Sequence, residues 1–136
     1  MGLFGKKEKI PDGIRVMYYE GELNEFPVNY PCQLLLMDDC LRITKIKPYT
    51  EVKLDRKRIL TLEVFGKNDY MQRYKGNSEN SLKKDDIPTS YYVINYLDKN
   101  GEKKHIVFWS ASSSALKMMK MRDEIMKNQQ SSSYEI

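Results

Sequence analysis

Apolar and polar positions along this chain alternate in short runs punctuated by turn residues, and the period becomes helical only near the end. Ile14 to Leu23, built around Val16-Met17-Tyr18-Tyr19, predicts a first strand. The connection from Asn24 to Pro31 holds Pro27 and Pro31, which cannot donate to a central ladder. Gln33 to Met37 and Leu41 to Ile46 predict a hairpin about Asp38-Asp39. Setting Met37 opposite Cys40 places Leu36 against Leu41 and Leu34 against Ile43 on one apolar face. Leu35 then meets Arg42, and Gln33 meets Thr44, on the other face. A slip of one residue would turn the whole apolar set to solvent, so the pattern specifies the register.

Tyr49 to Leu54 alternates again and leads through Asp55-Arg56-Lys57-Arg58 into a strand over Ile59 to Phe65. A second hairpin is predicted from Tyr91 to Leu97 and Lys103 to Trp109. Between them Asp98-Lys99-Asn100-Gly101 ends in Asn-Gly, whose residues both tolerate positive φ in a tight turn. The serines from Ser110 to Ser114 supply caps for a terminal helix. There Ala111, Ala115, Met118, Met119, Ile125 and Met126 share a broad apolar face, with Arg122 inside it obliged to snorkel or find an acceptor. The stretch 66–88 is polar and long for a loop. It admits a short strand near Tyr70 to Tyr74, one helical turn near Leu82, or a mobile lid.

The closing hairpin is apolar on both faces. Tyr91, Val93 and Leu97 are expected to share a side with Ile106 and Phe108, and Tyr92, Ile94 and Tyr96 to share the other with Val107 and Trp109. Only one side can line a core, so the other must be covered. The segment 66–88 is the internal candidate for that cover. A second copy or another protein, docking on Tyr92, Ile94, Tyr96, Val107 and Trp109, is the external one. The polarity of 66–88 tips the expectation toward the external cover.

At 136 residues the chain predicts one domain large enough for its own core. A flexible basic arm occupies 1–13, the domain 14–128 and a disordered tail 129–136. A net charge of +4, carried mostly by Lys, permits contact with anionic surfaces without demanding it, and argues against nucleic acid as the main partner. In the arm, Leu3 and Phe4 beside Lys6, Lys7 and Lys9 suit either a weak membrane-surface anchor or a frayed terminus. No secretory signal is visible, which points to the cytoplasm, with the inner face of the membrane as a site of peripheral attachment.

Candidate chemistry is sparse. Cys32 and Cys40 stand without further Cys, and the lone His105 is distant, so no metal or cofactor site is expected. In the proposed hairpin Cys32 falls opposite Lys45, which argues against a disulfide. His105 sits mid-strand beside Lys103 and Lys104 with no nucleophile motif, and no Gly-rich phosphate loop exists, so catalysis is not expected. The densest positive charge, including Lys45, Lys47, Arg56, Lys57 and Arg58, reads either as an anion-binding patch or as solvated turn residues.

Seven strands followed by one helix resemble the pleckstrin-homology-like fold, particularly its small bacterial PH-like and GRAM-like members. The resemblance rests on Leu41-Arg42-Ile43-Thr44-Lys45, on Glu51 through Val64, and on Tyr92 through Trp109 with the helix. It implies a bent, partly open seven-stranded barrel capped by one helix. It also implies a non-catalytic adaptor that binds a protein partner or itself, with attachment to anionic lipid as the alternative and nucleic acid as a weaker one. Inositol phosphates in such domains are often held by basic residues in the first inter-strand loop. Here Glu22 to Tyr30 carries two acids and no base, which disfavours that ligand.

Overall fold

Seven strands and two helices occupy residues 9–75 and 89–130, the part of the chain that the computed structural model describes. The arm before Lys9, Leu82 and its surroundings, and the tail after Gln130 lie outside the described residues. The elements are β1 (Ile14–Glu20), β2 (Pro31–Leu36), β3 (Cys40–Lys45), β4 (Thr50–Asp55), β5 (Ile59–Gly66), α1 (Lys67–Lys75), β6 (Thr89–Leu97), β7 (Lys103–Ala111) and α2 (Ala115–Gln130). The strands form one antiparallel sheet in the order β4-β3-β2-β1-β7-β6-β5. The β1–β7 ladder sets Met17 opposite Trp109 and Tyr18 opposite Phe108, before a bulge brings Glu20 to Val107.

The sheet is not closed into a barrel: β4 and β5 are its two edges, although the single 3₁₀ turn Arg56–Arg58 joins them directly. Leu54 at the end of β4 and Ile59 at the start of β5 belong to the same buried cluster, so the sheet curls about one core. That core takes Leu34, Leu41 and Ile43 from one half and Leu62, Tyr92, Ile94, Ile106 and Phe108 from the other. From α2 come Met118, Met121 and Ile125, each contributing about 1.5–3 kcal/mol on full burial.

The first hairpin has the register its apolar pattern predicts, with Leu34 opposite Ile43 and Leu36 opposite Leu41. Met37 N donates to Cys40 O at 2.8 Å to close the turn. Both cysteines are free and buried, and burial pushes the Cys32 thiol up to about 12. Gly13 admits no side chain, because a Cβ there would stand 2.9 Å from the Leu34 carbonyl oxygen.

The second hairpin corrects the expected faces. A two-residue Asn-Gly turn would pair Tyr92 with Trp109, whereas the structure pairs Tyr92 with Phe108 and Ile94 with Ile106. Asp98 is the cause. Its Oδ1 accepts from the backbone N–H of both Asn100 and Glu102, at 2.8 and 2.9 Å, while Gly101 alone takes the left-handed conformation at φ 83°. The connection therefore gains a residue, as in a type I turn with a G1 bulge, and the register moves by one. Val107 and Trp109 consequently lie with Tyr91 and Val93, on the face away from the core.

That outer face is covered by the chain itself. α1 occupies the start of 66–88 and lays Tyr70 on it, in a cluster of Tyr70, Tyr91, Val93 and Val107 flanked by Tyr19, Phe65, Met71 and Trp109. A helix thus stands where a short strand near Tyr70 to Tyr74 was one of the expectations, and the expected external cover is replaced by an internal one. The reason is local: Tyr70 and Tyr74, four apart, share one helical face and stack with centroids 5.2 Å apart.

The terminal helix also departs from its predicted face. Met118, Met121 and Ile125 form the buried stripe, whereas Met119 is 38% and Leu116 64% exposed. Ala111 belongs to β7, so the helix starts at Ala115, and it runs through Gln130 into the expected tail.

Candidate interaction surfaces

The five cations grouped by sequence do not form one patch. Lys45 ends β3 and Arg56 follows β4, so the length of β4 separates them, roughly 16 Å at about 3.3 Å per residue. Lys45 is only 4% exposed. Its Nζ donates to Pro48 O at 3.1 Å and lies 5.8 and 5.5 Å from the ring centres of Phe26 and Tyr30. It ties the β1–β2 loop to the β3–β4 turn and offers nothing to a ligand.

Arg58 is likewise committed, and Arg56 in part, since its Nη2 is buried with no hydrogen-bond partner among the described residues. Arg56 Nη1 donates to Met37 O at 2.9 Å, and its backbone N–H to Asp39 O at 3.0 Å. Arg58 Nη1 donates to Leu97 O at 3.0 Å. The two guanidiniums bind the strand-end carbonyls of the neighbouring turns and so hold the corner where β4 passes into β5. Lys57 between them is exposed. A cavity of about 610 Å³ opens at this corner, but Asp38, Asp39 and Asp55 share its lining with Lys53 and the three turn cations. It is nearly balanced in charge, which disfavours anion selection.

The remaining cation, Lys47, lines a different cleft. This one has a volume of about 310 Å³ on the outer side of β1 and β2, lined by Arg15, Lys47, Gln33, Tyr30, Pro31, Ile46 and Ile10. Arg15 and Gln33 are cross-strand partners, and Gln33 Oε1 accepts from Thr44 Oγ1 at 3.0 Å, which fixes its amide. Arg15 and Lys47 are the two cations in its lining. Sequence reading missed Arg15 and Gln33, although the alternation Arg15, Met17, Tyr19 along β1 already marks the outward set.

The predicted partner residues of the closing hairpin are placed inside the protein. Tyr92, Ile94 and Tyr96 are buried in the main core and Val107 is buried beneath α1. Trp109 is half-buried and donates through Nε1 to Asn29 Oδ1 at 2.8 Å. None of the four buried side chains can meet a partner without unfolding, because the turn chemistry of Asp98 and the cover by α1 use both faces. Tyr96 Oη donates to Glu22 Oε1 at 3.2 Å, and burial, with Glu22 adding to it, pushes that phenol up to about 12. Lys104 Nζ pairs with Glu22 at 2.9 Å and lies 3.9 Å from Asp98. His105 Nε2 stands 3.8 Å from Glu20, on the outer face.

What stays open is the β4 edge. β5, the other edge, is packed by α2, whereas β4 is bordered by β3 on one side and by no other strand among the described residues. Glu51, Lys53 and Asp55 are exposed and alternate with half-buried Thr50 and Val52 and buried Leu54. No ion pair joins Glu51 or Lys53 to another described residue.

Among the described residues no group of His, Cys, Asp or Glu could hold a metal ion, and no helix is long and apolar enough to cross a membrane. No known protein family matches the chain, and no curated protein matches it.

Proposed function

We propose that this protein is a non-catalytic interaction module of the pleckstrin-homology-like kind, acting in the cytoplasm and docking a protein partner along β4. The observation that carries the reading is the unpaired β4 edge of an open sheet. An edge strand presents a row of backbone donors and acceptors, and an added strand satisfies them while alternate side chains set specificity. Amide exchange tests it. In dilute solution the outward-pointing amides of β4 should exchange much faster than those of β2 and β3. Uniform protection across β4 would mean that the edge is already covered, and the reading would fail.

The cleft beside β1 favours a second reading, attachment to an anionic membrane surface. Arg15 and Lys47 line it, Ile10 is 57% exposed at its rim, and the sequence before Ile10 carries Leu3, Phe4, Lys6 and Lys7. Each cation near such a surface contributes about 1 kcal/mol. Arg15→Glu with Lys47→Glu should then abolish sedimentation with phosphatidylserine vesicles at low salt, and wild-type protein that ignores those vesicles would reject this reading.

A further inference from the structure

We infer that the partner of β4 is β4 of a second copy, paired antiparallel about a two-fold axis at Val52. The inference rests on the module reading above and adds the occupant. Three observations carry it. Of the two strands that end the sheet among the described residues, β5 packs against α2 and α1, whereas β4 packs chiefly against β3. Its outward side chains are Glu51, Lys53 and Asp55 and its inward ones Thr50, Val52 and Leu54, so the strand carries both signs of charge on one face and apolar surface on the other. Within the sheet, Lys53 sits directly opposite Arg42, a pair of like charges across the ladder.

Register decides the matter. Residues directly opposite in an antiparallel pair point to the same face, so two copies can join their core faces only in registers that pair inward with inward residues. Two such registers engage five of the six residues of β4 on each copy. With Val52 on the axis, Glu51 of each copy faces Lys53 of the other, Val52 meets Val52, and Thr50 meets Leu54. With Lys53 on the axis, Lys53 meets Lys53 and Glu51 meets Asp55, three like-charge contacts in all. Charges on an edge normally repel a strand, and here they repel every full-length pairing of this kind but one. The matched register also brings a carboxylate to Lys53, offsetting its repulsion from Arg42. The contact is isologous and closes as a dimer, with one sheet running through both copies.

Sedimentation velocity on the full chain tests this with charge reversals. The wild type should dimerise reversibly. Glu51→Lys, which sets lysine against lysine, and Lys53→Glu, which sets glutamate against glutamate, should each weaken the dimer at least about tenfold. An equimolar mixture of the two variants should associate again, and the double variant E51K/K53E should dimerise alone, outcomes that no misfolded variant could produce. A dimer indifferent to both single reversals uses another surface and overturns the inference. So does a wild type that stays monomeric at a few hundred micromolar. In that case fast exchange along β4 would leave the module reading standing, whereas a protected β4 would remove both.

Discussion

Tyr70 lies flat on Tyr91, ring centres 4.5 Å apart and planes within 5° of parallel, and this stack seats α1 on the sheet. Among the described side chains of α1, Tyr70 is the one fully buried, and Tyr19 meets both rings edge-on at 5.8 and 5.4 Å. Burial raises the Tyr70 phenol well above its ordinary value, so this ring stays neutral throughout the physiological range.

Tyr70→Ala should therefore cost about 3 kcal/mol, near the lower end for removing a buried aromatic. The core beneath the other face of the sheet should survive, while Tyr91 and Val107 become accessible to a hydrophobic dye. Denaturant midpoints and dye fluorescence check this. An unchanged midpoint would show that α1 does not cover the face.

The acid–base behaviour of the closing hairpin follows from Glu22, Asp98 and Lys104. Hydrogen bonding from Lys104 holds Glu22 below its ordinary value of 4.5, and backbone donation from Glu102 holds Asp98 below 3.8. Carboxylates depressed in the folded state contribute stability that is present above their unfolded values and lost as pH falls through the folded ones. Lys104 is raised above 10.5 chiefly by its bond to Glu22, so its contribution is complete below that value and lost as pH rises through the folded one. Stability should thus hold between about pH 5 and pH 10 and fall on either side. Lys104→Met should lower the plateau and flatten both limbs in a melting-temperature profile. An unaltered profile would remove the cluster from the account.

The stripe on α2 separates two adjacent methionines. Met118→Ala should cost about 2–5 kcal/mol, whereas Met119→Ala should stay within about 0.5 kcal/mol of wild type. Equal effects in thermal unfolding would contradict the helix orientation, and with it the packing of α2 against β5.

Much of the fold was legible because it rests on period-two patterning with one consistent register. Leu34, Leu36, Leu41 and Ile43 leave no alternative pairing, and the structure has the pairing they require. The second hairpin misled because both its faces are apolar, so a slip of one residue exchanges Phe108 for Trp109 without any penalty visible in hydrophobicity. Only the side-chain oxygen of Asp98, bonded to two amides, sets that register. Lys45 misled for a related reason. A lysine at a strand end reads as solvated, and nothing in its spacing reveals that Phe26 and Tyr30, far upstream, fold over it. α1 was hidden by its composition, since a helix held by one tyrosine stack carries almost no apolar periodicity. The sign alternation of Glu51, Lys53 and Asp55 was readable in the chain, but its meaning depended on knowing that β4 ends the sheet.

The strand order has a consequence for how the chain assembles. Each ladder but one joins strands consecutive in sequence. The exception is the seam between β1 and β7, where Met17 finds Trp109. Nearly all of the long-range chain-closure entropy is concentrated in that single zipper. The corner at Lys57 divides the sheet into a four-stranded and a three-stranded half, each able to pair internally before the seam forms, and among the described residues the one backbone ladder between the halves is that of β1 with β7.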